Sequence, residues 1–241
     1  MERLQKVIAM KGYCSRRKAE ELIQKGKVKV NGELITTMGY KVSVNDFIEV
    51  EGNPLDEVED KVYYLLNKPR GIVTTSSDEK GRKTVVDLIK TEKRIYPVGR
   101  LDYDTTGLII LTNDGELTNY LIHPKNKIEK VYVAKIKGIV TKEELGKLCK
   151  GVTIDGYKTS KAKAKILKID KKKNTSVVEL IIHEGKNHQV KKMFEAIGYE
   201  VLKLKRESIA FLTLDGVKPG DYRELSIKEV KKLYGEKNNQ D

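Results

Sequence analysis

Residues 96–115 read YPVGRLDYDTTGLIILTNDG. A short apolar run enters Gly99, and a second run, LIILT, leaves at Leu108. Between them lies a polar loop holding Arg100, Asp102, Asp104, Thr105 and Thr106. Two glycines bracket the loop, which allows tight turns or close backbone approach. The pattern places a carboxylate on a loop anchored at both ends by core strands, where reactive residues commonly sit. On residue type alone, an Asp in a loop such as Asp102 is usually a turn former or cap, and Arg100-x-Asp102 is often a structural ion pair. Asp104 reads as a turn or capping residue. The two carboxylates of a glycosidase flank a sugar with a gap of about 5–9 Å, which an i, i+2 pair in one loop does not by itself supply.

On the amino-terminal side, KVYYLLNKPRGIVTT (residues 61–75) predicts a strand, a Pro turn and another strand. Thr84 with Asp87 starts a short helix through Ile89. Asp114 caps a helix that His123-Pro124 ends, and VYVAKIKG is a strand. Thr141 and Glu144 form a capping box for a helix ending near Gly151. KAKAKILKI and SVVELIIHE are strands, HQVKKMFEAIG is a helix closed by Gly198, and VLKLKRESIAFLTL continues as strands. Ser226 and Glu229 box a last helix, and residues 236–241 read as a frayed tail. Runs of strands broken by single helices imply an α+β domain with a mostly antiparallel sheet. Its expected extent is residues 61–235.

Residues 1–60 read as a separate small α/β module with an acidic linker, EGNPLDEVED, at its end. Leu4, Val7, Ile8 and Ala9 predict a short helix stopping at Gly12. Ser15 caps the next helix, although Lys18 in place of an acid leaves the capping box incomplete. KVKVNGE is a strand with an Asn-Gly turn. Residues 1–32 carry nine Lys/Arg against three Glu, a net of +6, and residues 33–60 carry one Lys against eight acids, a net of −7. The basic part is a candidate phosphate-binding face, with Arg3, Arg16, Arg17, Lys18 and Lys29 as its cations, because clustered cations release counterions from RNA.

The 241-residue chain has a formal net charge of +13, with 39% hydrophobic and 34% charged residues. That composition supports a folded core under a very polar surface, and the charge favours a polyanionic partner. The amino terminus lacks the apolar run of a secretory signal, and no stretch approaches the roughly 18 apolar residues of a bilayer span. Cys14 and Cys149 suggest no disulfide framework, so a reducing, cytoplasmic setting is expected. With only His123, His183 and His188, they make no zinc site of familiar spacing.

Residues 99–115 closely resemble the catalytic motif of RNA pseudouridine synthases of the RsuA/RluB family: Gly-Arg-Leu-Asp, a few residues with Ser/Thr, Gly-Leu, then an apolar strand ending Thr-Asn-Asp-Gly. LNKPRG, EKVYVAKIKG and EGKNHQVKKMFEAIGYEVLKLKR follow in family order. RLQKVIAMKGYCSRRKAEELIQKGKVKVNG resembles the RNA-binding domain first described in a ribosomal small-subunit protein (the S-four type). The resemblance implies that Asp102 is the nucleophile, attacking either the sugar carbon or the uracil ring. It implies that Tyr132 stacks on the base and acts in proton removal from C5, that Lys191 pairs with Asp102, and that Arg100 holds the flipped nucleotide. The segment EGKNHQVKK departs from many relatives, which carry arginines there.

Neither cofactor nor metal is implied. The implied partner is ribosomal RNA or a ribosomal assembly intermediate, without a membrane, and the protein is expected to be a monomer. The full-length similarity is to the RluB type, acting on 23S RNA. The alternatives are a 16S enzyme or a non-catalytic RNA-binding ribosome-assembly protein; the second has no need of the Asp102 carboxylate.

Overall fold

The computed structural model describes residues 1–55 and 59–235. The expected carboxy-terminal tail and the middle of the expected linker, residues 56–58, lie outside the described residues. The chain divides into two compact units, one of Met1–Val62 with Thr91–Arg94 and Asn113–Gly115, the other containing Tyr63–Lys90, Ile95–Thr112 and the chain from Glu116.

In the first unit, β1 (Glu2–Arg3) leads into α1 (Leu4–Met10) and α2 (Arg16–Gln24). The Ser15 hydroxyl accepts from the Lys18 amide at 3.1 Å, capping α2 as its sequence predicts. β2 (Val28–Val30) and β3 (Glu33–Leu34) form a hairpin around Asn31 and Gly32. Both turn residues have positive φ, 51° and 84°, the requirement of a type I′ turn. β4 (Lys41–Val42) pairs with β1, while β5 (Ile48–Val50) joins β2. β6 (Asn53–Pro54) pairs with β5, so the start of the expected linker belongs to the small sheet. The helices and sheet share one core, which includes Leu4, Ile8, Leu22, Ile23, Val28 and Val50. Arg3, Arg16, Arg17, Lys18 and Lys29 are all exposed.

Among the described residues, the second unit is built on a nine-stranded sheet. β7 (Tyr63–Lys68) and β9 (Thr106–Thr112) lie side by side, with β8 (Tyr96–Pro97) paired to β9. After α3 (Gly115–Ile122) come β10 (Lys130–Lys137) and α4 (Lys142–Lys150). The Thr141–Glu144 capping box starts α4 as expected. β11 (Thr153–Ile154) and β12 (Tyr157–Lys158) make a separate hairpin. β13 (Lys163–Asp170) and β14 (Thr175–Ile182) precede α5 (Gln189–Glu195). β15 (Val201–Ile209), β16 (Leu212–Thr213), β17 (Tyr222–Glu224) and α6 (Ile227–Gly235) complete the unit. The main path is β13-β14-β10-β15-β9-β7-β17. The β9–β15 pair is parallel and the other named strand pairs are antiparallel. This is the α+β class expected from the sequence.

LIILT in β9 is buried throughout, because a central strand covered on both faces needs a continuous apolar run rather than alternation. Leu65, Leu108 and Ile110 pack with Leu117 and Leu121 of α3 and Leu233 of α6. One expected strand is absent. IVTT after the Pro turn makes only an isolated bridge, Val73 to Thr84. Its backbone bonds to the segment ahead of the short 3-10 turn, with Val73 N–H donating to the Lys83 carbonyl and Val85 N–H to the Val73 carbonyl, both at 3.0 Å. The Thr74 hydroxyl donates to the Leu101 carbonyl at 2.6 Å, and Gly71 N–H, just before the segment, to the Tyr103 carbonyl at 2.9 Å. The segment braces the polar loop instead of extending the sheet. Among the described residues, no helix is long and apolar enough to cross a membrane.

Candidate active site

The loop between β8 and β9 is fixed through its backbone. Thr105 N–H donates to the Asp102 carbonyl at 3.1 Å, which closes a turn. Beneath the turn lies Lys68, the last residue of β7 and fully buried. Its ammonium donates to the carbonyls of Thr105 at 2.8 Å, Asp102 at 3.0 Å and Pro69 at 3.2 Å. Burial pulls the Lys68 pKa down to about 8, although the nearby Asp104 and Asp102 carboxylates resist the shift. A buried cation thus holds the loop's carbonyls, in a region where an unpaired polar group is costly. On the outer side, Arg70 Nε donates to the Asp104 carbonyl at 3.3 Å.

This framework leaves the Asp102 carboxylate partly open, with its side chain 26% exposed. Lys191 of α5 lies 3.2 Å from Asp102 Oδ2 and 2.6 Å from Asp104 Oδ1. Burial depresses the Lys191 ammonium, but its hydrogen bonds to Asp104 and Asp102 outweigh that and raise its pKa above the ordinary lysine value. The hydrogen bond from Lys191 holds the Asp104 carboxyl below its usual range. Asp104 therefore does more than the turn role its sequence suggested; it grips the lysine that pairs with Asp102. His188 Nε2 is 3.4 Å from Asp102 Oδ1, presented from a left-handed residue (φ 53°) at the start of α5.

A cavity of about 120 Å³ opens beside the carboxylate, lined by Arg100, Asp102, Lys130, Tyr132, His188 and Arg206 among others. A cavity on the order of 150 Å³ holds a benzene-sized ring, so this one suits a single small ring rather than a folded polymer. Tyr132 and Lys130 project from the same face of β10, because alternate strand residues share a face. Tyr132 is 7% exposed, and its hydroxyl accepts from Arg206 Nη1 at 3.3 Å. Lys130 donates to the Ile128 carbonyl at 3.0 Å. Burial, and then the charge of Arg206, bring its pKa down to about 8.

Asp102, Tyr132 and Arg100 thus share one cavity wall, with Lys191 ion-paired to Asp102; Arg100 is exposed at the rim. Arg3, Arg16, Arg17, Lys18 and Lys29 belong to the first unit. Among the described residues, no group of three or more His, Cys, Asp or Glu is placed to hold a metal ion. Lys68, Lys130 and Arg206 did not stand out in the sequence. Strand alternation carried a signal for the last two, since Lys130 shares parity with buried Tyr132 and Ala134, and Arg206 with buried Leu204.

A carboxylate on a strand-held loop, paired with a cation and facing a ring-sized cavity lined by a tyrosine, defines a class of enzyme acting on one ring of its substrate. The family model described as RNA pseudouridylate synthase matches residues 62–196, and the S4 domain model matches residues 2–48. "Ribosomal large subunit pseudouridine synthase B" of Bacillus subtilis is 59% identical over 234 residues, covering 97% of this chain and 96% of its own. "Dual-specificity RNA pseudouridine synthase RluF" of Escherichia coli is 38% identical, covering 96% of this chain and 78% of its own. A crystal structure of a pseudouridylate synthase superimposes with a TM-score of 0.70 at 33% identity, covering 97% of this chain and all of that one. The chain belongs to the RNA pseudouridylate synthase family, and carries an S4 domain at its amino end.

Proposed function

We propose that this chain isomerises a uridine of large-subunit (23S) ribosomal RNA to pseudouridine, with Asp102 as the nucleophile. The observation that carries the reading is the placement of the Asp102 carboxylate. Its backbone is clamped by Lys68, its side chain is paired with Lys191, and it faces a cavity with Tyr132 in its wall. The large-subunit target is supported by the 59% identical relative of that name. The partner is ribosomal RNA or a ribosomal assembly intermediate, and the enzyme is a monomer working in the cytoplasm. The small-subunit and binding-only readings have no comparable support.

The target uridine leaves its stack or fold, which costs a few kcal/mol. Stacking on Tyr132 offsets part of this, at about 1–3 kcal/mol per base. Arg100 at the cavity rim holds the flipped nucleotide. The N1–C1′ bond breaks with participation of an Asp102 oxygen, the uracil turns, and C5 bonds to C1′. Tyr132 takes the proton that C5 loses. The reaction is an isomerisation, so nothing is consumed. Arg3, Arg16, Arg17, Lys18 and Lys29 contact RNA phosphates, which position the substrate without reading its sequence.

The test is pseudouridine mapping of 23S and 16S RNA from cells lacking the gene, complemented with wild type or Asp102→Asn. One 23S site disappears on deletion, returns with wild type and stays absent with the variant. An unchanged map after deletion contradicts the function, and restoration by the variant removes Asp102 from the mechanism.

A further inference from the structure

Arg206 is buried, 3% exposed, in the cavity wall. Its Nε donates to the Leu108 carbonyl at 2.7 Å and its Nη1 to the Tyr132 hydroxyl at 3.3 Å, while its Nη2 has no hydrogen-bond partner among the described residues. Among the described residues, no carboxylate forms an ion pair with it. A buried cation left without an anion is expensive to keep, so its position calls for a reason.

Two backbone devices put it there. Gly107 pairs in parallel with Arg206, and a Cβ at Gly107 would lie 2.2 Å from the Arg206 carbonyl oxygen. Only a residue without Cβ lets β15 approach β9 so closely. The β10–β15 register also shifts between Val131 and Tyr132: Val131 faces Ser208, but Tyr132 faces Arg206, so Glu207 is the extra residue. Such a bulge re-aims side chains and is over-represented next to active sites. Here it sets the guanidinium opposite the phenol, with its carbon 5.9 Å from the ring centroid.

We propose that Arg206 is a positioning residue that holds the Tyr132 phenol oxygen and compensates the negative charge this oxygen carries during the reaction. The inference rests on the pseudouridine synthase reading above. When the N1–C1′ bond breaks, its electron pair stays on N1, and the Tyr132 hydroxyl gives N1 its proton. The resulting phenolate is paired with Arg206. Rotation of the uracil about its N3–C6 axis brings C5 to the place that N1 held. As the C5–C1′ bond forms, the C5 proton passes to the phenolate and restores the phenol. One oxygen serves both transfers, and no external acid or base is required. The negative counter-charge missing beside Arg206 in the resting enzyme appears on its partner in mid-reaction.

The test uses the full chain and an unmodified large-subunit RNA transcript, with either ordinary uridine or uridine deuterated at C5, under single-turnover conditions. Arg206→Gln is expected to slow turnover by about 100-fold, the scale of general acid–base assistance. It should leave RNA affinity unchanged and give a larger primary isotope effect from C5 deuterium than wild type. Arg206→Lys keeps the charge and should recover turnover to within about tenfold of wild type, since charge-assisted contacts carry most of the strength. If Arg206→Gln does not fold, Arg206→Lys decides alone: it must turn over more slowly than wild type, with the larger isotope effect. Wild-type turnover in either folded variant, a loss confined to RNA affinity, or a slower rate without a larger isotope effect overturns the proposal. If wild type itself leaves the transcript unchanged, the failure belongs to the proposed function and not to Arg206.

Discussion

Gly107→Ala is the most demanding perturbation of the framework behind the site. Gly107 has φ +110°, and an added Cβ would meet the Arg206 oxygen at 2.2 Å, its nitrogen at 2.7 Å and its carbonyl carbon at 2.9 Å. All three are backbone atoms of β15, so no side chain can swing aside. Backbone strain in such a region costs about 1–3 kcal/mol. Overpacking a well-filled site adds about 1–3 kcal/mol. The sum, about 2–6 kcal/mol, is a large share of a typical stability of about 5–15 kcal/mol. At roughly 2–4 °C per kcal/mol for chains of this size, melting should fall by about 10 °C. Scanning calorimetry of the full chain reads this directly. Turnover should drop even well below the new melting temperature, because relief of the clash moves Arg206 away from Tyr132. An alanine variant that melts within about 2 °C of wild type, well inside the predicted change, would refute the close-approach argument.

Further outcomes follow from the buried and paired cations. The depressed pKa of about 8 at Lys68 and at Lys130 means that, up to the ordinary value of 10.5, the unfolded chain holds protons the folded one has released. Their contribution to stability therefore rises with pH across that window, while Lys68 loses the charge that grips the loop. Turnover should fall above pH about 8 without a matching fall in the urea midpoint; Lys68→Met should slow turnover at neutral pH and flatten that decline. Asp104, held low by Lys191, contributes stability above its unfolded pKa that disappears as pH falls through the folded one. Because its side chain is 51% exposed, Asp104→Asn should cost less than about 1 kcal/mol in urea unfolding at neutral pH, and nothing once the wild-type carboxyl is protonated. Arg16→Ala with Arg17→Ala should weaken RNA binding and make its log–log salt slope shallower by about 0.7–0.9 for each phosphate that is no longer neutralised; an unchanged slope removes α2 from the interface.

Local signals in the sequence were transparent, and non-local ones were not. Ser15, Thr141–Glu144 and Ser226–Glu229 mark helix starts because the capping partners lie within one turn, and the structure forms those hydrogen bonds. β17, TyrArgGlu, gives no strand pattern in sequence; it exists because β7 offers it an edge. The hairpin of β11 and β12 turns on Asp155-Gly156, too short to show alternation. IVTT looked like a strand, but its backbone bonds to Lys83 and Val85 and its Thr74 hydroxyl braces the loop that holds Asp102. At the site, Asp102 stood out through its loop and family resemblance. Lys68 and Arg206 did not, because a lysine before proline and an arginine in the run KLKRES look like solvent-facing charge. Their burial depends on strands brought together from distant parts of the chain. Asp104 was legible as a turn former but not as a partner of Lys191, 87 residues away.

The proposed function depends on the Asp102 carboxylate, and tritium release from large-subunit ribosomal RNA labelled at C5 of uridine tests it. Isomerisation releases the C5 tritium to water, because C5 becomes bonded to C1′. The wild-type chain is expected to release tritium from a single uridine, whereas Asp102→Asn, binding the RNA with equal affinity, should release none. Release by the asparagine variant at the wild-type rate would contradict the assignment.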